Sequence, residues 1–353
     1  MRRLYLFGIL VFISAKTFSQ TATCAQTLRL ARATYEQGRL HEIEGQLKSC
    51  LESGFTKEEK QLKVEGYKIL CLSYIYLEEP EKADGAMLNI LRTDPYFQIN
   101  EAVDPAEFVA LYKTFRTRPI YRIGVRLGVN ASRPNVTESA TVVELAPGSE
   151  YRPLLAFQFG ASADLPLSRT LTLHGDLLFQ QKRFELALIV DRGLDPNGEP
   201  LRNEFQGTES QTWISLPVTL EYKFLEKKFN PYVAAGVSVD YLLGSSVKSD
   251  RSRKNQTSIE EKTYDFDPQR KPINISAIGA AGIKVRVAGG YFVGEVRVIY
   301  GLTTVNSEAD SYANTQYALE QGYADSVFKL TSLEVTTSYI QNIFNPKKLK
   351  RKR

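Results

Sequence analysis

The last two-thirds of the chain repeat one pattern four times: an alternating segment, a short turn, a second alternating segment and a long polar loop. Residues 171–177 (LTLHGDL) and 214–224 (ISLPVTLEYKF) show the alternation of apolar and polar positions clearly. A period of two places the apolar residues on one face of a β-strand. The segments are long enough to cross a bilayer, which takes about 9–11 tilted residues. Strands of this length, joined by alternately short and long connections, are typical of a transmembrane β-barrel.

We predict eight strands, which form an antiparallel outer-membrane β-barrel over residues 118–344. Their ranges are 119–130, 152–164, 170–183, 210–224, 231–243, 272–287, 290–304 and 327–342. The predicted long loops are 131–151, 191–209, 244–271 and 305–326. Because the strand number is even, the chain enters and leaves the barrel on the side of the short turns, which is the periplasmic side in such barrels.

Residues 20–117 have helical periodicity instead and are predicted to form a small periplasmic domain. The predicted helices are 27–37, 40–51, 57–77, 81–91 and 106–115. The fragment Ala31-x-x-x-Tyr35-x-x-Gly38 and the run 83–95 resemble tetratricopeptide (TPR) repeats, whose unit is a helix pair of about 34 residues. The domain is then either a helical bundle with an apolar core or the same bundle carrying a shallow peptide-binding surface.

The first residues predict export. A basic start at 1–3, an apolar run at 4–15 and small residues near Ser19 form a secretory signal, assigned to residues 1–19. Lipid attachment at Cys24 is a weaker interpretation, because no apolar residue lies three positions before it. Export permits disulfides, and antiparallel packing of the first two helices would bring Cys24 and Cys50 together, so we expect a disulfide there. Cys71 is expected to be a buried apolar thiol.

The formal net charge is +5, and much of the excess lies in the basic tail, residues 345–353. A basic run can bind nucleic acid. After an export signal, however, a solvated periplasmic tail is the better interpretation, and no nucleic-acid partner is expected. The three cysteines and two histidines lack zinc-site spacing. We therefore expect no metal and no cofactor.

The predicted register points charged side chains of both signs into the barrel. Those assigned to an interior charge network are Arg122, Arg126, Asp176, Glu221, Lys284, Arg286, Glu295, Arg297 and Glu334. An eight-stranded barrel is just wide enough for side chains to fill it. Because an isolated ion there carries a large desolvation cost, we expect these charges to pair and to plug the barrel rather than to line a transport path.

His174 is the one residue of the barrel that suggests catalysis. It shares the inward face of its strand with Asp176, and a histidine–carboxylate pair joined by a serine is the arrangement of nucleophilic catalysis. No local motif marks such a serine. We therefore expect a protein that is not an enzyme, with His174 as a member of the charge network.

Several segments of the barrel match a known family in type and order. They are residues 213–224, 230–236, 241–243, 279–283, 295–304 and 332–335. As an ordered set they resemble the PorT-like outer-membrane β-barrel family of Bacteroidetes over about residues 119–344. The resemblance implies an eight-stranded barrel, an outer-membrane location and no catalytic residue. The family takes its name from a member needed for protein secretion and gliding. This chain departs from it by its helical domain and by continuing past Phe344.

Three functions are compatible with these features. The leading hypothesis is an outer-membrane protein whose periplasmic helical domain docks a protein or peptidoglycan partner, in secretion or envelope assembly. The second is a surface-binding module that acts through the long outer loops. The third is a small pore, which the size of the barrel disfavours. Outer-membrane lipid is the other expected partner.

Overall fold

The structure is a computed structural model that describes residues 21–54, 59–138, 149–194, 198, 200–225, 228–253, 259–287, 289–321 and 325–349. The predicted signal segment and the last four residues of the basic tail lie outside the described residues. The chain divides into two compact units. The helical unit comprises the described residues of Met1–Pro119 and Phe344–Arg353, and the barrel unit comprises those of Ile120–Ile343.

The helical unit contains the five predicted helices. They are α1 (Thr21–Glu36), α2 (Ile43–Ser49), α3 (Lys60–Tyr76), α4 (Pro80–Thr93) and α5 (Ala106–Lys113). A 3-10 turn precedes α2 and a π-helical turn, Cys50–Gly54, follows it, so the second helix is shorter than predicted. None of the described helices is long and apolar enough to cross a membrane.

Two apolar clusters hold these helices together. The first joins α1, α2 and the middle of α3 through Leu28, Ile43 and Leu47. The second joins α3, α4 and α5 through side chains such as Met87 and Phe108, both fully buried. A disulfide joins Cys24 in α1 to Cys50 in the π-helical turn, with their Cα atoms 5.5 Å apart, and Cys71 is a buried free thiol. Burial raises the pKa of the Cys71 thiol to about 12.

The barrel unit has nine strands and one short helix. The strands are β1 (Tyr121–Glu138), β2 (Glu150–Pro166), β3 (Leu171–Leu194), β4 (Pro200–Lys223), β5 (Phe229–Arg253), β6 (Ile259–Asp265), β7 (Ile273–Val287), β8 (Gly290–Gly301) and β9 (Val327–Ile343), and the helix is α6 (Thr315–Gln321). All neighbouring pairs are antiparallel, and pairing of β1 with β9 closes a ring of eight strands. The prediction of an eight-stranded barrel is confirmed. The additional strand, β6, pairs only with the far end of β5.

We call the end with the short connections, where the chain enters and leaves the barrel, the turn end, and the opposite end the loop end. The predicted loops 191–209 and 244–271 are wrong over much of their length, because β3, β4 and β5 continue as paired strands far into them. β5 has 25 residues, or roughly 80 Å of strand, whereas about 9–11 residues cross a bilayer. The loop end is therefore an ordered extension of the barrel wall.

Candidate functional site

The outer face of the barrel is an apolar belt. Ile123, Val125 and Leu127 on β1 are 49%, 62% and 59% exposed, and their counterparts on the other strands, such as Val296 and Leu333, are exposed as well. A soluble protein rarely exposes a continuous apolar surface of this size. This belt is the lipid-facing surface of a membrane barrel.

The barrel interior near the turn end holds a compact group of charges. The Lys284 ammonium lies between two carboxylates, 2.9 Å from Asp164 Oδ2 and 2.6 Å from Glu221 Oε2. His174 faces one carboxylate with each ring nitrogen: Nδ1 is 2.6 Å from Asp164 Oδ1 and Nε2 is 2.9 Å from Asp176 Oδ1. Asp164, His174 and Glu221 are close enough together to resemble a set of metal ligands. The Lys284 ammonium lies between the two carboxylates of this set and supplies a positive charge to them.

The middle of the interior centres on Glu295. Its carboxylate accepts hydrogen bonds from Arg126 Nη1, at 2.7 Å, from the Arg297 guanidinium and from the Tyr232 hydroxyl. Arg297 also donates to Asp176 Oδ2 at 2.7 Å. All five side chains are at most 5% exposed. Buried charges are tolerated when they are paired and hydrogen-bonded, and this network meets that condition.

A glycine makes room for this network. A Cβ atom at Gly282 would lie 2.6 Å from the Tyr232 hydroxyl and 2.7 Å from its ring. Gly282 pairs with Glu295 in the β7–β8 ladder, so the glycine leaves the space through which Tyr232 reaches the carboxylate.

Further toward the loop end, side-chain amides as well as charged groups form the buried hydrogen bonds. Glu334 accepts hydrogen bonds from Gln158, at 3.1 Å, and from Gln180, at 3.0 Å. Lys182 pairs with Asp240 at 3.0 Å and lies over the ring of Trp213. Side chains from all eight strands of the ring thus meet in the described interior.

The structure brings together eight of the nine residues predicted for the charge network. Arg286 is the exception: it is exposed, because it lies at the mouth of the turn end, where β7 finishes. Sequence reasoning missed Lys182, Gln158 and Gln180. The alternation of inward and outward positions along β2 and β3 would have assigned all three side chains to the interior. Among the described hydrogen bonds of His174, none involves a serine; Ser162 donates instead to Asp176.

The loop end carries an apolar core of its own, which the sequence analysis did not foresee. Its buried members are Phe184, Leu186, Phe205, Trp213, Leu242, Val247, Tyr264, Phe266, Val305, Tyr317, Phe328 and Leu330. We call this cluster the cap. It packs the inner faces of the extended strands against α6, through contacts such as Phe266 to Tyr317, whose ring centroids are 4.7 Å apart. The described residues of the predicted loop 305–326 therefore cover the barrel interior from this end.

One guanidinium holds the cap to the strands below it. Arg270 is fully buried, donates to both carboxylate oxygens of Glu209 at 2.8 and 2.7 Å, and pairs with Asp325. Two buried carboxylates thus share one positive charge. Burial, reinforced by the nearby charge of Glu209, outweighs Arg270 and raises the pKa of Asp325 to about 6.

The helical unit has a groove of about 470 Å³ beside the turn between α3 and α4. Its floor is formed mainly by Tyr74, Ile75, Ala83 and Leu111. Its rim carries the carboxylates of Glu78, Glu79, Asp84 and Glu107. Glu78 lies in the left-handed backbone region, with φ at 57°, and this turn directs α4 back along α3. An apolar floor with an acidic rim is chemically complementary to a partly apolar, basic segment.

The tail lies along one end of this groove, and Lys347, Lys348 and Leu349 keep their side chains exposed to solvent there. The Arg116 amide donates to the Lys347 carbonyl at 2.9 Å, and the Leu349 amide donates to the Thr114 carbonyl at 2.8 Å. Between these bonds, the Lys348 ammonium pairs with Asp84 in α4. The tail is therefore part of the helical unit.

A family model described as "Outer membrane protein beta-barrel domain" matches residues 117–306, more than half of the chain. The chain belongs to this family. The match agrees with the belt and the closed ring of strands, so the protein is an outer-membrane β-barrel protein with an N-terminal helical region. No curated protein sequence matches the chain.

Three solved barrels are similar to this chain. Neisserial surface protein A is 12% identical over 63% of this chain and 97% of its own, with a TM-score of 0.31. Ail of Yersinia pestis is 12% identical over 63% and 99%, with a TM-score of 0.28. OprG of Pseudomonas aeruginosa is 11% identical over 64% and 98%, with a TM-score of 0.33. Identities this low say nothing of this chain's function.

Proposed function

We propose that the protein is a non-enzymatic membrane anchor whose helical unit lies in the periplasm and docks a protein or cell-wall partner, in secretion or envelope assembly. The observation that carries this proposal is the filled barrel. The ion-pair network occupies the membrane-spanning part of the described interior, and the cap packs above it. A barrel filled in this way holds a position in the membrane. The recognition surface then belongs outside it.

The chain path supports this orientation. The helical unit and the tail both leave from the turn end, and short turns are periplasmic in barrels of this kind. The Cys24–Cys50 disulfide fits an oxidising compartment. Two helical hairpins followed by a closing helix support the TPR-like interpretation of the unit, and the ordered barrel segments support the PorT-like one.

The test is site-specific photo-crosslinking of the full-length protein in cells. A photoreactive residue replaces Ile75 or Leu111 in the groove, and Leu30, which is 56% exposed on α1, serves as the control. We expect adducts from the groove positions alone, as a discrete protein band or as a lysozyme-sensitive ladder if the partner is peptidoglycan. Equal labelling from Leu30, or none from the groove, would contradict docking there. Stable, reproducible conductance in planar bilayers would contradict the anchor.

A second candidate, surface binding through the loop end, is favoured by one observation. The cap holds α6 with the side chain of Leu319 83% exposed. Apolar side chains held outside an ordered core are available to a partner. A photoreactive residue at position 319 therefore completes the same experiment. An adduct there, with none from the groove, would establish this candidate over periplasmic docking.

A further inference from the structure

Three carboxylates around the groove of the helical unit lack full counter-charge. Glu78 and Glu107 have no ion pair or side-chain hydrogen bond among the described residues, and both are exposed. Asp84 pairs with Lys348 through Oδ2, while its Oδ1 is buried without a hydrogen-bond partner. The rim thus attracts positive charge beyond what the described residues provide.

The floor between these carboxylates is apolar and has room for more than one side chain. Tyr74 is buried at 7% exposure, and Ile75 and Leu111 are half-buried beside it. A volume of about 470 Å³ exceeds that of any one side chain. An occupant that satisfies floor and rim together has an apolar side chain flanked by basic ones.

The tail shows how such an occupant approaches. Residues 345–349 run beside Phe115, which forms an antiparallel bridge with Lys348, and the Lys348 ammonium pairs with Asp84. Among the described tail residues, Lys348 alone contributes to the lining, so residues 345–349 cover one end of the groove.

We infer that the groove binds an extended polypeptide segment of a partner protein that carries basic side chains, and that the tail is a covalently attached competitor for the Asp84 end. The inference rests on the proposed docking function and names the chemistry of its partner. Release of Lys348 from Asp84 opens the end of the groove, so a partner segment and the tail exclude each other there.

The test uses full-length protein in lipid nanodiscs and a fluorescent peptide with the sequence of residues 345–353, followed by anisotropy. A chain truncated after Phe344 should bind the peptide at least tenfold more tightly than the wild type, because an attached tail competes at an effective concentration near the millimolar range. The point variant Lys348→Gln, which keeps the backbone bridge, should shift affinity in the same direction. The Lys348→Gln variant still tests the inference if the truncated chain fails to fold.

The specificity of the groove is tested with matched substitutions in the truncated chain. Asp84→Asn should weaken peptide binding about tenfold, the scale of one charge-assisted hydrogen bond. Glu81→Gln, on the same helix but outside the groove, should leave binding unchanged. Equal affinity of wild type, truncated chain and Lys348→Gln, or equal losses from Asp84→Asn and Glu81→Gln, would overturn the inference.

Failure of the docking function can be told apart from failure of this inference. Peptide binding that depends on Asp84, without any adduct from the groove in cells, would support the groove chemistry and contradict docking. A protein adduct that Asp84→Asn leaves unchanged would support docking and overturn the inference. A lysozyme-sensitive adduct would also overturn it, since the occupant would then be peptidoglycan.

Discussion

Removal of the Glu295 carboxylate should destabilise the barrel strongly. Glu295→Ala takes the shared acceptor away from Arg126, Arg297 and the Tyr232 hydroxyl, all of which are buried. Asp176 still pairs with both arginines, at 3.2 Å from Arg126 and 2.7 Å from Arg297. It cannot neutralise two guanidinium groups alone. A buried pair that loses one partner costs about 3–5 kcal/mol, and we expect a loss of unfolding free energy in that range.

The matched control is Val296→Ala, one position along the same strand. Val296 faces lipid and is 47% exposed, so lipid fills the space that its truncation leaves, and the cost should stay below about 1 kcal/mol. The assay is denaturant unfolding in lipid vesicles, followed by the fluorescence of Trp213, the single tryptophan of the chain, which is fully buried. Equal shifts of the two midpoints would refute the buried network around Glu295.

Three further predictions concern the other parts of the molecule. Thiol labelling of the unreduced, denatured protein should modify Cys71 alone, and labelling of all three cysteines would contradict the disulfide. Reduction of the Cys24–Cys50 bond, which spans 26 residues, should lower the unfolding free energy of the helical unit by about 3–4 kcal/mol under the loop-entropy model. The pKa of the Asp325 carboxyl is about 6 in the folded protein and 3.8 in the unfolded chain, so protonation of Asp325 stabilises the cap. This contribution, on the order of 3 kcal/mol, is fully present below pH 4 and is lost as the pH rises through 6. The stability difference between Asp325→Asn and the wild type should therefore change in favour of the variant between pH 4 and pH 7.5, and a constant difference would contradict the raised pKa. Trypsin added to intact cells should cut within residues 244–271 and spare the helical unit, whereas cleavage of the tail would contradict this topology.

The sequence predicted the membrane-spanning part of the barrel well, because two constraints act on it together. Every strand must alternate, and its outer face must be apolar to meet lipid. Parity alone then assigns Arg126 and Arg297 to the interior. Parity does not say which charges meet across the barrel. Glu295 pairs with Arg297 on its own strand and also with Arg126, which lies on a strand that is not its ladder neighbour.

The groove was beyond sequence reasoning for a different reason. Its closed end depends on an ion pair between Asp84 and Lys348, which are 264 positions apart. The tail reaches α4 only because β1 and β9 are neighbours in the closed ring, so that the segments before and after the barrel leave it side by side. Helical periodicity predicts the five helices, but it does not predict that the tail comes back to contact α4.

The extension of the strands was missed because the alternation changes phase where the membrane ends. On β3 the inward residues from Thr172 to Lys182 are polar except for Leu178, and the next two, Phe184 and Leu186, are apolar. On β9 the change falls between Leu330 and Ser332. Inside the bilayer the outer face must be apolar and the interior can be polar, whereas in water the polar face must be the outer one. The strands themselves continue without a break through the change. An inversion of the alternating pattern therefore marks the membrane boundary, and here it also marks the base of the cap, since the rings of Phe184 and Phe328 meet there with centroids 5.8 Å apart.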